Sequence, residues 1–336
     1  MDSFQPSHIL VQRLPRPPEN GRRYFLPLAP AFLSSGWELP FHLYSPLGKD
    51  RVVPFLSRGE KIPARLYDAI LRGRATPYFY VRSDERASLY RYEEDLLDEI
   101  LETSQTPLSL RCRALHNLTA HLAREAYENP HRDTLSRQSA HCQKVTAFLD
   151  RHPPAVARTL TRMGDRRYSD HGHAVNVGFL SLAMAKTVHG RILDSGDEEM
   201  ASGFFLYDVG KSRIQRQILD KPGPLKKEEW AEVRKHPIYG HSLLERSCFF
   251  DQPALQIALA HHERLDGRGY PWGLCGREIH PFARICALAD TFDALTAHRP
   301  HKSALSIYSA LSLMKQDLGS RFDGRFFDAL VLLFRR

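Results

Sequence analysis

Two adjacent histidines, His261 and His262, close an apolar run from Leu255 to Ala260, and Glu263-Arg264-Leu265-Asp266-Gly267-Arg268-Gly269-Tyr270-Pro271 follows at once. Imidazoles at the end of an apolar helix, against a loop shaped by glycines and a proline, are suited to holding a metal ion. A bare His-His pair would serve equally as a solvated helix end. A second chemical signal is Asp290, which sits in a run of Ala, Leu, Ile and Cys between Ala283 and Thr296. A carboxylate in such surroundings is costly unless it is paired or bound to a cation.

The string from His261 to Pro271 resembles the HHExxDGxGYP signature of the HD-GYP family, metal-dependent phosphodiesterases that hydrolyse the bacterial second messenger cyclic di-GMP. The resemblance runs from Tyr168 to Gly324 with the motifs in order. His173-Ala174-Val175-Asn176-Val177 is similar to the family's H-S-x-x-V, which implies that His173 ligates metal; His171, two residues earlier, cannot share that helix face. Ser169 stands where members with three metals carry Glu, which argues against a third ion. Phe204-Phe205-Leu206-Tyr207-Asp208-Val209-Gly210-Lys211 resembles LLHDIGK, with Tyr207 in place of the histidine of the His-Asp pair. The resemblance makes Asp208 a carboxylate that bridges two metals and Lys211 a cation aimed at the scissile phosphate. Lys221-Pro222-Gly223-Pro224-Leu225 with Glu228, Glu229 and Trp230 leads to His236-Pro237, as in KPGxLTxEEW…HP, and makes His236 a further ligand. Arg299-Pro300-His301-Lys302 resembles RPYK, whose Arg and Lys contact the dinucleotide phosphates.

The implied ligand set is thus His173, Asp208, His236, His261, His262 and Asp290, four imidazoles and two carboxylates. It suits two transition ions, iron or manganese, and discriminates poorly between these and zinc. Two such ions can generate a bridging hydroxide and clamp it against phosphorus, giving in-line hydrolysis of a 3′,5′ phosphodiester to linear pGpG or GMP. Asp208 and Lys211 would be catalytic; Lys211, Tyr270, Arg299 and Lys302 would bind substrate. Tyr207 leaves the outcome open. A phenol, with a reference pKa near 10, ligates only a strongly polarising ion such as ferric iron. Tyr207 therefore leaves three outcomes: it ligates iron and preserves a binuclear site, or the first site is weak and turnover slow, or the protein keeps one metal or none and binds cyclic di-GMP without cutting it. A broader HD-type nucleotide phosphohydrolase is a third reading, which the GYP loop and the RPxK segment argue against.

These groups need a scaffold of several converging helices, and the chain predicts one. The expected fold is α+β: a small N-terminal α/β module over 1–105, a helical connector over 106–150, and an all-α HD-type domain over 151–336. In the first, Phe41–Tyr44, Val52–Leu56 and Tyr78–Val81 read as strands, Ala64–Leu71 as a short helix, and Leu89, Leu96, Leu97, Ile100 and Leu101 as a helix leading out. Its aromatic residues Trp37, Tyr78, Phe79, Tyr80, Tyr90 and Tyr92 read as core rather than as a ligand surface, and a regulatory or dimerising role rests on position alone. Leu108–Tyr127 and Thr134–Leu149 have helical spacing, interrupted by Asn129-Pro130 and closed by His152-Pro153-Pro154.

With 336 residues, 42% hydrophobic and 26% charged, disorder and fibrous architectures are excluded. The excess of 47 basic over 39 acidic residues favours an anionic partner, and a phosphate-bearing small molecule suffices. No nucleic-acid module is recognisable. Five cysteines without CxxC spacing argue against a disulfide framework or a zinc ribbon. The longest mostly apolar stretch, Val175–Ala185, is short of the roughly 20 residues that span a bilayer. The expected location is the cytoplasm, with a GGDEF-domain protein or a second copy of the chain as candidate partners.

Overall fold

The computed structural model describes residues 12–13, 24–34, 36–48, 51–74, 76, 78–152, 170–190, 200–297 and 303–335. It divides into two compact units, Met1–Leu118 and Thr119–Arg336.

The first unit is built on an antiparallel sheet of β1 (Gln12–Arg13), β2 (Phe25–Leu28), β3 (Leu43–Leu47), β4 (Arg51–Leu56) and β5 (Phe79–Arg82), in the order β1-β4-β3-β5-β2. Period-two burial explains the two strands at one end: Leu26 and Leu28 of β2, and Phe79 and Val81 of β5, face inward while their neighbours stay half-buried. Helix α1 (Ala64–Leu71) falls where the sequence predicts it. Helix α2 (Arg86–Glu102) buries Leu89, Leu96, Leu97 and Ile100, and the Tyr92 hydroxyl donates to the Phe32 carbonyl at 2.8 Å. Phe79, Tyr90 and Tyr92 are core, as expected, whereas Trp37 is exposed. The fully buried Glu93 accepts a 2.6 Å hydrogen bond from Asn117 Nδ2.

Two strands escape sequence reading for physical reasons. β2 is four residues long with a central Pro27, and β1 has two residues, so neither gives a periodic signal. β3 lies later than the Phe41–Tyr44 run predicts and has a register shift between its first two residues, Leu43 and Tyr44.

Helix α3 (Leu108–Glu128) contains the division between the units, and α4 (Arg132–Asp150) follows. The rest of the second unit is helical: α5 (Asp170–His189), α6 (Met200–Leu206), a 3-10 turn (Val209–Arg213), α7 (Arg216–Leu219), α8 (Lys227–Val233), α9 (His236–Ser247), α10 (Gln252–Ala260), α11 (Pro281–Thr296), α12 (Ile307–Lys315) and α13 (Gly324–Phe334). Helix α5 is the axis. Val175, Val177, Phe179, Leu180, Leu182 and Met184 point to different sides, yet each is buried, because α4, α6, α11 and α13 all pack on this helix. Helix α10 packs on α6, α9 and α11, which brings the end of its apolar run against the start of α9. Among the described residues no helix is long and apolar enough to cross a membrane.

Candidate metal centre

Helix ends deliver the chemistry. Asp251 caps α10 by accepting from the Ala254 amide at 2.8 Å, and the helix stops at His261, so His261 and His262 emerge at its C-terminus. His236 opens α9 with Pro237 behind it. Asp208 lies between α6 and the 3-10 turn that carries Lys211, and this turn packs on α9. His173 is in the first turn of α5, and Asp290 and Asp293 lie on α11.

One ligand atom each from Asp208, His236, His261 and His262 lie within 4.8 Å of one another, and among the described residues no other group of three or more His, Cys, Asp or Glu does so. The orientation of these atoms matters more than their proximity. His236 Nδ1 is 2.7 Å from the Val233 carbonyl, and His261 Nδ1 is 3.0 Å from that of Ala258. A carbonyl oxygen only accepts, so each Nδ1 carries a proton, and the neutral form of a ring held in this way turns the lone pair of Nε2 inward. The two Nε2 atoms face each other at 3.1 Å. Asp208 Oδ1 lies 3.1 Å from His236 Nε2, is buried and has no hydrogen-bond partner. Three electron-pair donors therefore converge with no proton between them, and a cation satisfies all of them. The donor set fits a divalent metal ion.

The electrostatics agree. Burial holds His262 well below the ordinary imidazole pKa, assisted by the neighbouring His261 and His236, and burial also lowers His236. Both rings are thus neutral, as a ligand must be. For Asp208, burial opposes ionisation, but the charge of Lys211 outweighs it and holds the carboxyl well below its usual range. Lys211 Nζ donates to the other oxygen, Oδ2.

The remaining two expected ligands are turned toward each other. His173 Nε2 is 2.8 Å from Asp290 Oδ1 and His173 Nδ1 is 2.6 Å from Asp293 Oδ2, while Asn176 Nδ2 donates to Asp293 Oδ1 at 3.1 Å. Burial disfavours the charged form of His173, yet the two carboxylates raise its pKa well above the ordinary value. Burial likewise works against the Asp290 carboxylate, and the His173 hydrogen bond and charge nonetheless lower its pKa. Tyr207 is fully buried and donates its hydroxyl to Asp290 Oδ1 at 3.0 Å. Burial, then the charges of Asp290 and Asp208, push this phenol well above its usual pKa.

The Gly-rich loop is fastened by Glu263. Its buried carboxylate accepts the Trp272 and Gly273 amides at Oε1 (2.7 and 3.1 Å) and the Leu274 amide at Oε2 (3.1 Å). Gly269 crosses so close to this clasp that a Cβ there would lie 2.4 Å from Glu263 Cα. Tyr270, joined to Pro271 by a cis peptide, stacks on His262 with ring centroids 4.7 Å apart at 29°, and the Arg234 guanidinium lies 5.2 Å from its ring centre. Sequence reading assigned no role to Asp293, Glu263 or Arg234. For Asp293 the signal was its place one helical turn after Asp290 on α11; for Glu263 it was the third position of the HHE string. Arg234 had no signal, since its partner is brought by another element. Arg299 and Lys302, expected to bind phosphates, and Ser169 lie outside the described residues.

Replacing Glu263 with Ala is expected to lower stability by roughly 2 kcal/mol, because three partly buried amides lose their acceptor. Hydrogen exchange should speed up at Trp272, Gly273 and Leu274 and stay slow in α5. Equal protection of the loop in the variant would show that the clasp does not hold it.

An all-α unit that gathers histidines and an aspartate from helix ends defines a metal-binding helical domain. The family described as HD domain matches residues 149–326. The chain belongs to this family and, with its His261–Pro271 loop, to the HD-GYP branch. Among curated proteins, a 3′3′-cGAMP-specific phosphodiesterase of Vibrio cholerae is 38% identical over 47% of this chain and 34% of its own length. The cyclic di-GMP phosphodiesterase response regulator RpfG of Xanthomonas campestris is 46% identical over 38% of this chain and 34% of its own. A cyclic di-GMP phosphodiesterase of Pseudomonas aeruginosa is 34% identical over 56% of this chain and 44% of its own. The chain thus spans between a third and a half of the length of these relatives. Among solved structures, an HDG"Y"P protein from Bdellovibrio bacteriovorus superposes with a TM-score of 0.65 at 20% identity, covering 92% of this chain and 99% of that one. That likeness speaks for the fold alone.

Proposed function

We propose that the protein is a metal-dependent phosphodiesterase that hydrolyses cyclic di-GMP to pGpG or GMP, with iron or manganese at the Asp208, His236, His261 and His262 cluster. The observation that carries this is the convergence of the buried, partnerless Asp208 Oδ1 with the inward-facing Nε2 atoms of His236 and His261. The names of the similar proteins supply the substrate class, a cyclic dinucleotide.

When bound, the ion supplies Lewis acidity and an acidified water at neutral pH. The chain's own groups do the rest. Backbone carbonyls of Val233 and Ala258 fix the tautomers of His236 and His261, so that both lone pairs are presented without a proton transfer. Asp208 divides its oxygens between the cluster and Lys211, which keeps the ammonium at the rim of the site. There Lys211 is the cation that meets the scissile phosphate and stabilises the charge growing on its oxygens. Tyr270, stacked on His262 and covered by Arg234, adjoins the cluster and is assigned to the substrate. Arg299 and Lys302 are assigned to the remaining phosphate contacts through the RPxK resemblance. A GGDEF-domain partner and a dimer are further expectations of that resemblance.

The test is product analysis of the metal-loaded chain with cyclic di-GMP and, in parallel, 3′3′-cGAMP. Faster cleavage of cyclic di-GMP supports the reading. Preferential cleavage of 3′3′-cGAMP would reassign the substrate, and binding without cleavage would make the protein a receptor. Within the enzyme reading, Lys211→Met is expected to retain its metal and to lose roughly 100-fold in kcat, the order that follows removal of one stabilising donor. Elemental analysis and steady-state kinetics on one preparation check both parts.

A further inference from the structure

The two halves of the site are built differently. On the Asp208 side, electron-pair donors face one another with no hydrogen between them. On the Asp290 side, Asp290 Oδ1 and both oxygens of Asp293 are engaged by neighbouring side chains. Asp290 Oδ1 receives the Tyr207 hydroxyl and faces His173 Nε2, and Asp293 takes His173 Nδ1 with one oxygen and Asn176 with the other. Asp208 does not join the halves: its Oδ1 faces His236 and His261, and its Oδ2 is held by Lys211. His173 and Asp290 accordingly do not form a cluster of three with Asp208.

Tyr207 explains the difference. A phenol is longer than an imidazole, and its oxygen reaches the Asp290 carboxylate that a second ion would need. Its ring, fully buried, lies edge-on to His261 with centroids 4.8 Å apart and to His173 at 6.4 Å, so it takes up volume beside both imidazoles. To bind a cation its oxygen would also have to give up the proton that now bridges to Asp290.

We propose that this chain holds a single metal ion, at Asp208, His236, His261 and His262, and that the Tyr207–Asp290–His173–Asp293 hydrogen-bond network stands in place of a second one. The donor set for a second ion does not fit: Asp208 does not bridge, and Asp290 is occupied by the Tyr207 hydroxyl. The network does a structural job instead, tying α5 and α11 to the end of α6. The inference rests on the cluster of the proposed function and concerns its stoichiometry, not its substrate.

The experiment is anaerobic reconstitution of the metal-stripped full chain with Mn2+, read by elemental analysis and electron paramagnetic resonance. One manganese per chain with an uncoupled six-line spectrum is expected, and it should be lost in His261→Ala. Tyr207→His is expected to take up a second ion and to show an exchange-coupled spectrum. Two coupled ions in the wild-type chain would overturn the inference, as would a chain that binds none. A Tyr207→His chain that folds, binds one ion and stays uncoupled would overturn the role of Tyr207. Cyclic di-GMP cleavage is scored separately on the same samples. One ion without cleavage defeats the proposed activity and leaves the stoichiometry standing; two ions with cleavage do the reverse.

Discussion

Asp208→Ala is expected to abolish metal retention and to lower cyclic dinucleotide hydrolysis by at least about 1,000-fold. Loss of a partner that only orients a ligand costs roughly 10- to 100-fold, and Asp208 is placed closer than that. Its Oδ1 is buried, has no hydrogen-bond partner, and stands 3.1 Å from His236 Nε2. Its removal takes the only carboxylate from the four-residue cluster and leaves three imidazoles, two of which, His236 and His262, are kept neutral by burial. It also frees the Lys211 ammonium, which would then repel a cation at the same place. The fold should survive, because the Lys211 ammonium paired with this carboxylate is partly exposed and can be hydrated when Asp208 is removed. Elemental analysis, a product assay and thermal melting of the variant address the three parts. A variant that keeps its metal would remove Asp208 from the ligand set.

Gly210→Ala is expected to cost about 3 kcal/mol, the upper part of the range for overpacking, or a fall in Tm of roughly 6–12 °C for a unit of this size. The reason is a backbone-to-backbone approach. A Cβ at Gly210 would lie 2.0 Å from the His236 carbonyl oxygen and 2.4 Å from the Gly240 nitrogen, neither of which can swing aside as a side chain could. The 3-10 turn of Asp208 and Lys211 would have to separate from α9, which carries His236. Metal affinity and stability should therefore fall together, in contrast to Asp208→Ala, where only the metal is lost. A Gly210→Ala chain with unchanged Tm would show that the two elements are not in the tight contact described.

Much of the site was legible in the residues. His261 and His262 close an apolar run, which marks a helix end, and the loop after them contains the glycines and proline that a tight turn demands. Asp290 stood out because a carboxylate in a run of Ala, Leu and Cys requires compensation. The helices over Leu108–Tyr127 and Thr134–Leu149 were readable because 3.6-residue periodicity and Pro stops are local signals, whereas the later helices were expected from the family resemblance. By contrast, β1 and β2 of the first unit are too short to carry a period, and their existence depends on the strands they pair with.

What tertiary structure decided was which atoms meet. Chain order puts Asp208, His236 and His261 on separate elements, and nothing in it tells that the backbone carbonyls of Val233 and Ala258 turn two Nε2 lone pairs onto one carboxylate oxygen. Nor does it tell that Tyr207 reaches Asp290, 83 residues later, or that Asp293 holds His173 from a distance of 120 residues. The sequence by itself offered the candidate ligands, the helical scaffold and the substitution, Tyr207, that departs from the family pattern at the His-Asp pair. Tertiary packing determined their pairing, because a hydrogen bond or a coordination bond depends on direction over a few tenths of an ångström, and direction is set by how helices that are remote in sequence lean on one another.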